Sequence, residues 1–179
     1  MIRTHIKLDD QLEGKMATAR KDVAKAMISI VLDEFNHMLK GAPQRYGNFV
    51  ANFSIAPGLR AGRVPAKLYF PTNTDENSWF ARGNLPAIQV AQSNVSNLTS
   101  RMTAHVTKSS GWMSGMTVYN RLDYAEKVEG YSEFTLRAEN KGGSHPLAKM
   151  EARLAARSKK KVVYGSPEFE ALVRRAGDV

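Results

Sequence analysis

The clearest hydrophobic pattern lies near the start of the chain, where apolar residues recur three and four positions apart. The members of this stripe are Leu12, Met16, Ala19, Val23, Met27, Val31, Phe35 and Met38. This spacing places all of them on one side of an α-helix, so it predicts a long amphipathic helix packed on a core. The opposite side carries Lys15, Asp22, Lys25 and Asp33. Gly41, Ala42 and Pro43 predict the end of the helix.

The pattern then changes to strict alternation over residues 49–55. Phe49, Ala51, Phe53 and Ile55 fall on one side and smaller or polar residues on the other. A period of two predicts a half-buried strand. Further short strands are predicted at 66–70, 116–120 and 133–139, with a turn at 140–143. Residues 58–65 and 71–83 are predicted to be loops, and a loop as long as the second is usually either functional or disordered.

Three more helices are predicted towards the end of the chain. The first begins at Asn84 and carries Ile88, Ala91, Val95, Leu98 and Met102 at helical spacing. The second covers 146–158, and the third starts at Ser166-Pro167-Glu168 and ends at Gly177. Together these elements predict one α+β domain over residues 1–179. A long N-terminal helix and further helices pack on a small, mainly antiparallel sheet, and a basic helical C-terminal extension begins at about residue 144.

The net charge of +9 is unevenly distributed and directs attention to that extension. Residues 137–179 hold ten basic and five acidic side chains. The densest part is Arg157, Lys159, Lys160 and Lys161, which is suited to contact DNA phosphates or an acidic protein face, or to form a solvated helix end. Arg60 and Arg63, on the loop 58–65, are the other candidate contacts to partners or DNA.

The residues that could carry chemistry do not form a recognisable active site. There is no cysteine, and the four histidines include no pair four residues apart. Glu34 and His37 match one Glu-x-x-His element, whereas a di-iron bundle needs two. Neither a nucleophile elbow nor a phosphate-binding glycine loop is found. We therefore expect a protein that is not an enzyme and uses no cofactor or metal.

The hydropathy pattern also bears on where the protein acts. The longest apolar run, residues 26–32, is far shorter than the roughly 20 residues that a membrane span needs. The first eleven residues are charged throughout and lack the apolar stretch of a secretory signal. We expect a soluble protein that does not bind a membrane, and the absence of cysteine is compatible with synthesis in the cytosol.

Residues 116–130, MTVYNRLDYAEKVEG, resemble a known motif. They are similar to the strand and the Asn-x-x-x-Tyr-Ala-x-x-x-Glu element of the neck or tail-completion family of long-tailed bacteriophages. Asn120, Tyr124, Ala125 and Glu129 fall on the motif positions, and Gly130 falls on the glycine that usually follows. Independently of the family, an asparagine at the end of a strand is expected to bond local backbone groups with its amide.

A second stretch, residues 43–55, resembles the same family's proline-to-glycine turn followed by its first strand. Pro43 and Gly47 match the turn, whereas Arg45 and Tyr46 stand where the family usually has aspartate and threonine. The order of a long helix, this turn and the later motif also agrees. The resemblance covers residues 9–130 in outline, and the basic C-terminal third has no counterpart in it.

The resemblance implies a structural, head-tail joining protein of the virion neck, made in the host cytoplasm. Its copies would form a homo-oligomeric ring, a hexamer or alternatively a dodecamer, with a connector or portal-side protein on one side. On the other side would lie the tail terminator or tail tube protein, and genomic DNA would pass through the channel. The loops 58–65 and 71–83 are candidates for contacts between subunits. The alternative is a sequence-nonspecific DNA-binding module that uses the C-terminal basic cluster.

Overall fold

The protein is described here by a computed structural model. It describes residues 10–42, 47–58, 65–67, 85–108, 115–123, 125 and 145–177. Over these residues the fold is α+β, as predicted, because a long N-terminal helix and further helices accompany a two-stranded antiparallel sheet. The elements are α1 (Asp10–Gly41), α2 (Asn48–Ala51), β1 (Phe53–Pro57), α3 (Leu85–Ser93), α4 (Leu98–Lys108), β2 (Met116–Asn120), α5 (Pro146–Ser158) and α6 (Pro167–Gly177).

Helix α1 is buried on two faces, whereas the sequence predicted one. The first face belongs to the main core and presents Ala24, Ile28, Leu32, Phe35 and Leu39. The second face packs against α6 and presents Val23, Ala26 and Ile30. The predicted placement of Met16 and Met27 on the core is therefore wrong: they are 44% and 37% exposed. Helical geometry places Met27 between Val23 of the second face and Ala24 of the first, on a ridge that neither the main core nor α6 covers.

The main core fills the space between α1, the sheet and helices α3, α4 and α5. Phe35, Phe53, Ile55, Leu98 and Met102 are among its fully buried side chains. Each such side chain removed from water contributes about 1.5–3 kcal/mol to folding, before the entropy of ordering the chain is subtracted. The cluster therefore provides a rigid base for the segments that carry the family resemblance.

The strand predicted at 49–55 begins four residues later. Asn48–Ala51 forms the short helix α2, in which Ala51 N–H donates to Gly47 O at 2.9 Å. The alternation of apolar and polar residues indicated a strand with one buried side. Both sides of this segment are buried, so the alternation does not distinguish a strand from a short helix here. Strand β1 then pairs with β2 in antiparallel register, with Phe53 opposite Asn120 and Pro57 opposite Met116. The strand prediction at 116–120 is confirmed.

The helix predicted from Asn84 to Met102 is divided in two. All five of its predicted core residues are buried, but residues 94–97 form a turn between α3 and α4. In this turn Ser93 Oγ donates to Val90 O at 2.8 Å, and Ser96 Oγ donates to Ser93 O at 2.9 Å. Small polar side chains compete in this way for backbone bonds and disfavour a continuous helix.

Both predicted C-terminal helices are confirmed. Helix α5 starts at Pro146, and Ser166 caps α6 because its Oγ accepts a hydrogen bond from the backbone N–H of Phe169 at 3.2 Å. Both helices pack along α1. Ala66 and Lys67 are not in a strand. The predictions for 68–70, 71–83, 133–139 and 140–143 lie outside the described residues, as does 59–64 of the first loop.

Candidate functional site

The two segments that carry the family resemblance lie against each other. Asn120 is the last residue of β2, and its Nδ2 donates to the carbonyl oxygen of Phe49 in α2 at 2.7 Å. Its Oδ1 accepts a hydrogen bond from the backbone N–H of Leu122 at 3.0 Å. The amide of Asn120 therefore bonds local backbone groups, as expected, and it also joins the turn after β2 to the segment after Gly47.

Two further asparagines, Asn52 and Asn94, secure the same junction. Asn52 is fully buried, and its Nδ2 donates to Asn48 O at 2.8 Å and to Lys67 O at 2.9 Å, while its Oδ1 accepts from Lys67 N–H at 3.1 Å. Asn94 Nδ2 donates to the carbonyl oxygens of Ala51 at 2.8 Å and Phe53 at 3.2 Å. Sequence reasoning missed both roles, because each amide bonds at least one residue that is distant in sequence. We call Asn52, Asn94 and Asn120 the asparagine junction.

Two other motif residues are described, and both serve the backbone. Gly47 has φ 75°, a left-handed conformation that lacks a steric penalty only in glycine, and it directs the chain into α2. Ala125 packs against the main core, and its N–H donates to Leu122 O at 3.0 Å. Pro43, Tyr124, Glu129 and Gly130 lie outside the described residues. The described motif residues thus hold the chain in place.

An ion-pair network with one buried carboxylate, Glu34, joins α1 to both C-terminal helices. Glu34 is 5% exposed, and its Oε2 lies 2.5 Å from Arg153 Nε and its Oε1 2.8 Å from Arg157 Nε. Asp33, one residue earlier, has Oδ2 at 3.6 Å from Arg157 Nη1 and at 3.3 Å from Arg175 Nη1. Arg157 was predicted to contact a partner or DNA. In the structure its guanidinium pairs with the carboxylates of Asp33 and Glu34 on α1.

The same network determines what the Glu34-x-x-His37 element does. Both carboxylate oxygens of Glu34 accept from arginines, and His37 is exposed on the next turn. Among the described residues, no group of three or more histidines or carboxylates is placed to hold a metal ion. In this structure Glu34 is an ion-pair partner that connects helices.

The remaining candidate cations lie in different surroundings. Lys159, Lys160 and Lys161 follow α5 and are all exposed. They lead to Val163 and Tyr164, which are 67% and 55% exposed. Arg60 and Arg63 lie outside the described residues. The structure thus shows the three lysines as a solvent-facing group, distinct from Arg157.

Two open cavities in the described part of the chain adjoin α1. The larger, of about 820 Å³, is a groove at the start of α1 lined by Lys15, Met16 and Tyr164. The smaller, of about 370 Å³, lies between the end of α1 and the start of α5 and is lined mainly by basic side chains. None of the described helices has the length and apolar composition that crossing a membrane requires.

Comparison of the chain with protein-family models, curated proteins and solved structures finds no match. The resemblance of residues 43–55 and 116–130 to the phage neck family is therefore carried forward as a proposal.

Proposed function

We propose that this protein is a structural component of the neck of a long-tailed bacteriophage, where its copies form a ring that joins the DNA-filled head to the tail. The observation that carries the proposal is the pair of stretches, 43–55 and 116–130, that resemble the neck or tail-completion family. Their contact through Asn120 supports it, because two motif segments of one family are expected to form one local unit.

The chemistry of the asparagine junction is consistent with this role. Its amides connect four chain segments: residues 48–53 of α2 and β1, the segment at Lys67, the turn at Asn94 and the end of β2 at Asn120. These hydrogen bonds fix the relative positions of the four segments. Asn52 is fully buried, and Asn94 and Asn120 are partly buried. Hydrogen-bonded polar groups in such surroundings rigidify a structure. A ring subunit needs such rigidity, because small angular errors between neighbours accumulate around the ring and prevent its closure.

A ring requires each subunit to present two different complementary surfaces, since its contacts are heterologous. The groove at the start of α1 supports the presence of one such surface, because Met16 and Tyr164 are exposed apolar side chains that line it together. Val163, beside Tyr164, adds to this apolar area. Neighbouring exposed apolar side chains are typical of interaction sites.

The proposal is tested by the neighbouring genes and by electron microscopy of the purified protein. We expect portal, capsid and tail-tube genes on either side, and rings of six or alternatively twelve copies. A metabolic operon around the gene, together with a monomer at every protein concentration, would contradict the neck role.

The exposed group Lys159–Lys161 favours one alternative, a DNA-binding module that does not read sequence. If three lysines each neutralise one phosphate, the logarithm of the affinity for duplex DNA falls against the logarithm of salt concentration with a slope of about −2.7. The neck proposal predicts that ring assembly does not depend on DNA.

The triple substitution Lys159→Gln, Lys160→Gln and Lys161→Gln separates the two functions. We expect it to leave ring assembly unchanged, as measured by sedimentation. A matched variant, Arg20→Gln, Lys21→Gln and Arg101→Gln, removes three charges from exposed positions of α1 and α4. Strong, salt-sensitive DNA binding that only the first variant loses, in a protein that forms no ring, would favour the DNA-binding module.

A further inference from the structure

A basic cavity lies between the last turns of α1 and the first turns of α5. His37 and Lys40 line it from α1, and Lys149 and Arg153 line it from α5. Residues three and four positions apart share one side of a helix, so each helix presents two nitrogen-bearing side chains to the same space. No acidic side chain is among the described residues that line the cavity, whose volume is about 370 Å³.

Arg153 is held in place by Glu34. Its Nε donates to Glu34 at 2.5 Å, which fixes the guanidinium plane, while its Nη2 is buried and has no hydrogen-bond acceptor in the structure. A buried donor without an acceptor is destabilising, and native proteins rarely retain one without a reason. Glu34 is thus a positioning residue, and Arg153 retains hydrogen-bonding capacity.

The helix dipoles explain only part of this arrangement. Lys40 lies in the last turn of α1, where a cation interacts favourably with the carbonyl end of the helix. Lys149 lies in the first turn of α5, at the opposite pole, where a cation is disfavoured. The convergence of Lys40, Lys149 and Arg153 on one concavity is therefore not a consequence of helix-dipole preference alone.

We propose that this cavity binds a phosphate group, either inorganic phosphate or the terminal phosphate of a small phosphomonoester. Cationic donors approach from two helices, which suits the several oxygens of a tetrahedral anion. The backbone phosphates of duplex DNA lie on a convex surface between sugars and do not enter such a concavity. The inference is independent of the neck proposal, which involves other residues.

The experiment titrates the full chain at constant ionic strength with inorganic phosphate, with adenosine monophosphate and with a short DNA duplex. Calorimetry is expected to give a Kd of about 1 mM or tighter for at least one of the first two. The double substitution Lys40→Gln and Lys149→Gln, at exposed positions, is expected to weaken that binding at least about tenfold. Arg153 is left unchanged because it also holds Glu34.

The matched control is Lys15→Gln with Lys21→Gln, two exposed positions about 24 Å or more from His37 along α1. We expect the control to bind phosphate like the parent protein. Tighter binding of adenosine monophosphate than of phosphate identifies a phosphomonoester as the ligand, and equal binding identifies free phosphate. The proposal is overturned if neither binds, if both variants lose affinity equally, or if the duplex binds through Lys40 and Lys149 more tightly than the small ligands.

Discussion

The substitution Glu34→Gln is expected to lower the free energy of unfolding by about 2–3 kcal/mol. Removing one partner of a buried ion pair typically costs about 3–5 kcal/mol, because the remaining charge is left without compensation. Here the side chains of Arg153 and Arg157 are 32% and 43% exposed, so water compensates them in part and the effect is smaller. Thermal unfolding should shift downward by about 4–12 °C.

Asp33→Asn is the matched control, since Asp33 neighbours Glu34 and also pairs with arginines. Its side chain is 41% exposed, compared with 6% for Glu34, and exposed ion pairs contribute at most about 1 kcal/mol. Urea denaturation of both variants measures the difference. Equal losses of the free energy of unfolding in the two variants would show that burial of Glu34 does not strengthen its ion pairs.

The substitution Asn120→Ala is expected to cost about 2–3 kcal/mol. It removes the bond from Nδ2 to Phe49 O and leaves the N–H of Leu122 without its acceptor. Phe49 and Leu122 are 6% and 7% exposed, so water replaces these bonds poorly. A buried group left unpaired costs about 1–3 kcal/mol.

Asn97→Ser is the control for this change, because Asn97 is exposed in the turn between α3 and α4, and serine retains a helix-capping side chain at the position before α4. It should change the free energy of unfolding by no more than about 0.5 kcal/mol. The pair of variants is compared by chemical denaturation and by ring assembly. A stable Asn120→Ala protein that fails to assemble would contradict a structural role and make Asn120 a contact residue.

Local patterns were sufficient to predict α5, α6 and β2. Ser166 and Pro167 mark a helix start through groups within three residues, and Asn120 bonds Leu122 two residues away, so sequence proximity carries the information. The apolar positions of α3 and α4 were also correctly assigned to the core. The break between them was missed because the amphipathic spacing continues across residues 94–97.

The error on α1 and the missed contacts share a physical cause, which is that tertiary partners were unknown. The second buried face of α1 exists because α6 returns to it, and the ion pair from Arg153 to Glu34 spans 119 positions. Asn94 bonds Ala51 across 43 positions. A buried carboxylate and a buried amide look like surface residues until their partners are known, so the network and most of the asparagine junction were not predictable.

The most direct test of the neck role is electron microscopy of phage particles made when the gene carries a stop codon. The account predicts DNA-filled heads and separate tails, which join into complete virions when the purified protein is added to the lysate. Complete, tailed virions assembled without the protein would contradict it.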